Sequence, residues 1–325
     1  MKRILTSFLV LCVPVFVSCQ RTAHDTAHQK PLVISTIKPI QALVYRIAGG
    51  AQSPLELHQL LPDGASPHHF ALRPSDMQSL EQAKVIFRID PALETFLNKP
   101  LASLPSTTRI IALADSQGVK LLPNRTPHHD EDENEAETAA EHNTAHDDTE
   151  LGAHATHDLH IWLNPNNALA MTQTIADALA KLDPAHQADY QRNAHDLQQQ
   201  IQATDQHIHD QLHNVQNQAY LSFHDAWQYF DTAYGLNFAG AVTLDVARLP
   251  GTRHVQDIRH IVETDKAVCL FQEPQFPPAL VKTLAEGSKI KVGELDPLGM
   301  KLPLDENTYI HLLQNAADSF QHCLE

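Results

Sequence analysis

The chain has 325 residues, 42 % of them hydrophobic, which is enough for two domains with packed cores. Its 23 basic and 39 acidic side chains give a formal charge of −16, which argues against a nucleic-acid partner and favours cations. Its 22 His, mostly neutral at pH 7, are a large stock of metal-ligating imidazoles.

Residues 1–19 carry Lys2 and Arg3, an apolar run from about Phe8 to Val17, and then Ser18-Cys19. The run is too short to span a bilayer and reads as a secretory signal, so the mature chain is expected to be periplasmic or otherwise extracytoplasmic. Val15-Phe16-Val17-Ser18-Cys19 resembles a bacterial lipobox, with Phe16 in place of the usual Leu. Acylation of Cys19, which would anchor the chain to a membrane, and simple cleavage both stay open. Residues 20–30 read as a polar tether.

Leu32 to Ile37 predicts a strand, and Ile40 to Ala48 a helix stopped by Gly49-Gly50. Leu55 to Leu61 predicts a second strand, and Ser75, with Gln78 three residues on, the cap of a helix. Lys84 to Ile89 and Arg109 to Leu113 predict two more strands, with a helical pattern over Pro91 to Leu104 between them. Four strands alternating with helices imply a parallel sheet covered on both faces.

Residues 124–157 break this rhythm. Between 128 and 157 stand 6 His (His128, His129, His142, His146, His154 and His157), 10 acidic residues and no Lys or Arg. With so few large apolar side chains the segment cannot offset the cost of ordering itself, and an exposed, mobile loop is expected. Imidazoles beside carboxylates suit borderline divalent metals such as zinc, which makes the loop a candidate for metal capture.

A helix from about Pro165 to Leu182 follows, and Asp183-Pro184 predicts a new helix start. Tyr190, Ala194, Leu197, Ile201, Ile208, Leu212 and Val215 form one stripe along roughly 45 Å of helix. Such a helix is a spine joining two α/β halves, and it predicts limited hinge motion. Beyond it, Tyr220–Phe223, Phe238–Leu244, Ala267–Phe271 and Ile290–Leu295 read as strands. Asp225–Tyr234, Thr252–Thr264, Pro277–Glu286 and Asp305–His322 read as helices.

The expected organisation is therefore an N-terminal α/β domain over 31–182, a linking helix over 183–216 and a C-terminal α/β domain over 217–325. Each domain has a parallel four-stranded sheet, and a metal would bind in the cleft between them. Cys269 and Cys323 are either a disulfide, worth about 4 kcal/mol for so long a loop, or two buried thiols.

Ligands of open α/β sheets bind beyond the carboxyl ends of strands. His68 and His69 lie in the loop after the second strand, His160 ends the acidic tract, His224 closes the strand from Tyr220, and Asp296 follows the strand from Ile290. Three imidazoles and a carboxylate suit tetrahedral zinc, so His68, His160, His224 and Asp296 are the candidate ligands.

Five segments then carry a resemblance: Gly64-Ala-Ser-Pro-His-His-Phe-Ala-Leu-Arg-Pro-Ser-Asp76, Asp158-Leu-His-Ile-Trp-Leu-Asn-Pro165, Ser222-Phe-His-Asp-Ala-Trp-Gln-Tyr-Phe230, Glu273-Pro-Gln-Phe276 and Leu295-Asp-Pro-Leu-Gly299. In this order they resemble the zinc-binding solute receptors of bacterial ABC importers, the ZnuA family, across nearly the whole mature chain. The resemblance implies a monomeric receptor, not an enzyme, that carries zinc to a membrane permease. It assigns ligand roles to His68, His160 and His224, a disulfide to Cys269 and Cys323, and zinc capture or sensing to the His-rich loop. Pro67 stands where some members have an acidic residue beside the first His, so the fourth ligand is Asp296, which matches a ligand of related manganese receptors, or a water. Glu273 is expected to support the ligands from behind. Manganese relatives place a carboxylate at the position of His224, and a third imidazole there favours zinc over manganese or iron. A zinc hydrolase is the rival from another class, but the chain has no H-E-x-x-H motif. A metal-dependent surface adhesin is a third reading.

Overall fold

The structure, a computed structural model, describes residues 30–125, 156–243, 251–264 and 266–325. The signal, Cys19, most of the tether, and loop residues His128, His129, His142, His146 and His154 lie outside the described residues. No helix among the described residues is long and apolar enough to cross a membrane.

Runs such as Leu-Val-Ile-Ser and Val-Ile-Phe-Arg, buried along nearly their whole length, are what a strand covered on both faces requires. They form the centre of the first sheet. Leu32–Ser35 (β1) is flanked by Glu56–Gln59 (β2) and Val85–Arg88 (β3), and Arg109–Ala112 (β4) completes the order β2-β1-β3-β4. All its pairings are parallel. Lys38–Ile47 (α1), Pro74–Gln82 (α2) and Asn98–Ala102 (α3) connect these strands.

The second sheet repeats the first. Ala219–His224 (β7) lies between Asn237–Thr243 (β8) and Cys269–Gln272 (β9), with Lys291–Glu294 (β10) outermost, again all parallel. Read from the second strand of each half, both orders are 2-1-3-4. Each sheet therefore has its switch of winding direction between its first and third strands, β1 and β3 or β7 and β9, where a crevice opens at the carboxyl ends. A two-stranded antiparallel ribbon of Leu122–Pro123 (β5) and His157–Asp158 (β6) forms the base of the segment between them.

Pro165–Leu182 (α4) starts on Asn164, whose side chain accepts from the backbone N–H of Asn166 and Asn167. Gln187–Leu212 (α5) follows a 3-10 turn at Pro184–His186. Its buried side chains are the expected stripe from Tyr190 to Leu212. The larger apolar core runs through both sheets and gathers side chains from α1, α4, α5 and the last helix, Thr308–Leu324 (α9). A smaller core packs Thr252–Glu263 (α7) and Ala279–Ala285 (α8) on the second sheet. Gln228–Tyr234 (α6) lies between β7 and β8 in the chain.

Cys269 on β9 and Cys323 on α9 form a disulfide, with Cα atoms 5.9 Å apart. Gly293 on β10 lets these elements close up, because a Cβ there would stand 2.6 Å from the Phe271 ring and 3.1 Å from Cys323 Sγ.

Three sequence expectations need correction. The helical pattern over Pro91 to Leu104 is a 3-10 turn at Thr95–Leu97 followed by the short α3. The Glu94 carboxylate turns inward and accepts from the N–H groups of Ile89 and Asp90 and from Arg88, so residues 89–94 wrap around it instead of coiling. Ser75 does not cap α2. Arg73 is the cap residue, its N–H donates to Asp76 at 2.8 Å, and Pro74 takes the first helical position. The helix expected from Asp225 begins at Gln228, and His224 is the last residue of β7.

Candidate metal centre

His224 ends the first strand of the second sheet, and Glu273 directly follows its third strand, β9. The two residues thus meet at the switch point. His224 Nδ1 lies 2.5 Å from Glu273 Oε1, so the imidazole donates there and turns Nε2 into the crevice. Both residues are buried, at 6 % and 3 % exposure.

His160 is set by an independent local device. Asp158, on β6, accepts from the His160 N–H at 2.9 Å and from Nδ1 at 2.7 Å. Tyr229 on α6 braces this turn, donating to the Asp158 carbonyl and accepting from the Leu122 N–H on β5. The following turn is tied down by Trp162, whose indole donates to Pro297, and by Tyr309, whose hydroxyl donates to the Trp162 carbonyl.

His68 comes from the loop after β2. The backbone turns at Gly64, whose φ of 84° suits glycine, and His68 N–H donates to Ser66 Oγ. Lys38, itself buried, clamps the loop by pairing with Asp63 at 2.8 Å while donating to the carbonyls of Met300 and Leu302. Its neighbour His69 is exposed.

The three imidazoles converge. His68 Nε2 and His224 Nε2 stand 3.2 and 3.3 Å from His160 Nε2, and one nitrogen from each ring lies within 4.8 Å of the others. Among the described residues this is the group of His, Cys, Asp and Glu side chains gathered tightly enough for one ion. Neutral imidazoles without protons between their nitrogens repel one another, so a cation among them relieves the arrangement.

The charge environment differs from ring to ring. Burial, and then the neighbouring His160 and His224, hold His68 well below the ordinary imidazole pKa, which keeps its nitrogen lone pair available near neutrality. Burial also pulls His224 down, but the Glu273 carboxylate outweighs it, and the net pKa lies above the ordinary value.

Asp296 is not brought into this group. Its carboxylate accepts from Gln275 Nε2 at 2.8 Å and from the N–H groups of Leu298 and Lys301, closing the loop after β10. Beside the imidazoles lies instead a cavity of about 20 Å³ lined by Ser66, Pro67, Trp162, Glu273 and Phe276 among others, large enough for a water. Glu273, whose Oε2 is buried and without a protein hydrogen bond, is one of the lining residues. On the other side a polar cavity of about 300 Å³ reaches from the three His to Arg125 and His157. His157, the one loop His among the described residues, therefore lines the approach to the centre and is absent from the group itself.

Asp158 is a supporting residue that the strand-end rule passes over. Its signal is local: an Asp two residues before a His can cap both that residue's N–H and its ring.

Residues 33–323 match the family model described as zinc-uptake complex component A, periplasmic. The chain is 35 % identical over 316 residues to a high-affinity zinc uptake system protein of Brucella abortus (strain 2308), covering 92 % of this chain and 93 % of that one. It is 36 % identical over 294 residues to the protein of the same description in Yersinia pestis, with coverage of 90 % and 91 %. A solved periplasmic zinc-binding protein from Treponema pallidum has the same fold, with a TM-score of 0.72 at 21 % identity over 91 % of this chain and 99 % of that one.

Proposed function

The chain belongs to the ZnuA family, and from that premise we propose that it is an extracytoplasmic receptor that binds one Zn²⁺ through His68, His160 and His224 and delivers it to the membrane permease of an ABC importer. The observation that carries this reading is the convergence of three Nε2 atoms, two of them on rings whose Nδ1–H groups are already committed to Asp158 and Glu273. Carboxylates behind the ligating imidazoles fix the tautomer and raise ligand basicity, which is the arrangement that supports a metal.

An all-imidazole set suits zinc better than manganese, whose preference is for oxygen ligands. The fourth place is filled by a water in the small cavity that Glu273 helps to line, and Asp296 serves to shape its own loop. The His-rich segment 126–155, leaving β5 and returning to β6 beside the larger cavity, raises the local zinc concentration with weak, exchangeable sites. Cys19, when acylated, anchors the receptor near its permease.

The test is metal content and competition on the mature protein beside His224→Ala and a deletion of residues 126–155. Wild type is expected to hold one tight zinc that manganese does not displace. His224→Ala loses it, and the deletion keeps it while losing the weaker sites. Tight zinc retained by His224→Ala and lost by the deletion would reject the centre and make the chain a His-rich zinc buffer.

A further inference from the structure

Immediately after ligand His224 comes a second potential ligand, Asp225. Its carboxylate lines the larger polar cavity together with His68, His160 and His224. It is nevertheless absent from the group of donors that could share an ion. The reason lies across the cavity, on the strand end where the His-rich segment departs. Arg125 Nη1 stands 2.5 Å from Asp225 Oδ1, and Nη2 stands 2.7 Å from Asp231 Oδ2.

The guanidinium is itself fixed. It lies over the Phe238 ring, 3.9 Å from the centroid. Asp231, its other carboxylate, is buried and receives the Tyr220 hydroxyl. A planar fork held at both nitrogens and on its face has little freedom to release Asp225, and Lys, a point charge, could not hold both carboxylates in the same way.

Asp225 is only 12 % exposed. A carboxylate so far removed from water needs a positive partner. Among the described residues its ion-pair partner is Arg125. We propose that Arg125 is a specificity residue: by holding Asp225 it keeps an oxygen ligand away from the centre and so preserves an all-imidazole site that prefers zinc to manganese. This rests on the zinc-receptor reading above and adds to it a residue that touches no metal. A carboxylate added to three imidazoles would raise affinity for an oxygen-preferring ion more than for zinc.

The test measures Zn²⁺ and Mn²⁺ affinities by competition on the full mature chain. Removing the guanidinium alone would leave two buried carboxylates facing each other, so the principal variant is Arg125→Gln with Asp231→Asn. Its zinc-to-manganese preference is expected to fall by at least about tenfold, and adding Asp225→Asn is expected to restore the wild-type ratio. Cobalt(II) absorption, read on protein that retains its bound cobalt, gives a coordination readout: the visible bands of the four-coordinate site weaken in the principal variant as a further ligand joins, and recover with Asp225→Asn. Arg125→Lys, which retains the charge, is expected to keep a ratio nearer wild type than the Gln variant.

An unchanged ratio in the principal variant would overturn the proposal. So would a fall that Asp225→Asn does not reverse, or an Arg125→Lys ratio as low as that of the Gln variant. Absence of tight zinc in the wild type, measured in the same titration, would instead reject the receptor reading.

Discussion

Replacing Glu273 by Gln preserves the shape of the side chain and removes one charge from behind the imidazole cluster. In the native chain His224 Nδ1 faces a carboxylate oxygen at 2.5 Å, and that carboxylate is 3 % exposed, so little water weakens the pair. Partners of this kind behind a ligating His are worth about 10–100-fold in metal affinity, or roughly 1.4–2.7 kcal/mol. Glu273→Gln is therefore expected to bind zinc about 10–100-fold more weakly near neutral pH. The pH dependence carries a sign. Glu273 raises the His224 pKa, so in wild type a proton competes with zinc for this ring from above the ordinary imidazole range downward, and affinity falls as pH falls through it. In the variant the largest influence raising the His224 pKa is gone and only the weaker ones of Asp225 and Asp158 oppose burial, so the pKa drops and proton competition moves to lower pH. The deficit relative to wild type should thus be largest at about pH 8 and narrow towards about pH 6. Competition against a chromophoric zinc chelator at several pH values measures both effects. A variant within about twofold of wild type throughout, or a deficit that does not change with pH, would refute the reasoning.

Asp296→Asn is expected to leave zinc affinity within about threefold of wild type, since the carboxylate closes its own loop on Gln275, Leu298 and Lys301. Weaker loop bonds should lower the melting temperature by roughly 2–4 °C, and a hundredfold-scale loss of zinc would instead make Asp296 a ligand. Replacing Cys269 and Cys323 by Ser removes a cross-link between residues 54 apart in sequence. The chain-entropy estimate is a loss of about 4 kcal/mol, read as a lower urea midpoint with zinc affinity retained. An unshifted midpoint would count against a stabilising role.

Much of the fold is legible in the sequence because its signals are local. Pro165–Leu182 is a helix over the range expected, and the stripe from Tyr190 to Leu212 is the buried face of α5. Strand limits differ from expectation by one or two residues, because ladder pairing and not the hydrophobic run sets where a strand ends. Two of the failures share a cause, which is a polar side chain taking over the backbone's hydrogen bonds. Glu94 turns its carboxylate back onto the N–H groups of Ile89 and Asp90, drawing the chain into a turn where the pattern predicts helix, and Asp76 reaches back to Arg73, displacing Ser75 from the cap.

The same division holds at the imidazole cluster. His68, His160 and His224 stand out because strand-end loops and recurring motifs mark them. The contacts that aim them link distant parts of the chain: Glu273 is 49 residues from His224, and Arg125 is 100 from Asp225. Nothing in the composition around Arg125 signals a partner so far along the chain. Asp296 is the converse case, a carboxylate at a strand end whose loop turns it towards its own backbone.

The central claim is that three imidazoles and one oxygen hold the zinc. Zinc X-ray absorption on the chain lacking residues 126–155, loaded with one equivalent, tests it without interference from the loop. The spectrum is expected to show about three imidazole nitrogens and one oxygen, all at about 2.0–2.1 Å. A shell with fewer than three imidazoles, or dominated by oxygens, would contradict the site built from His68, His160 and His224.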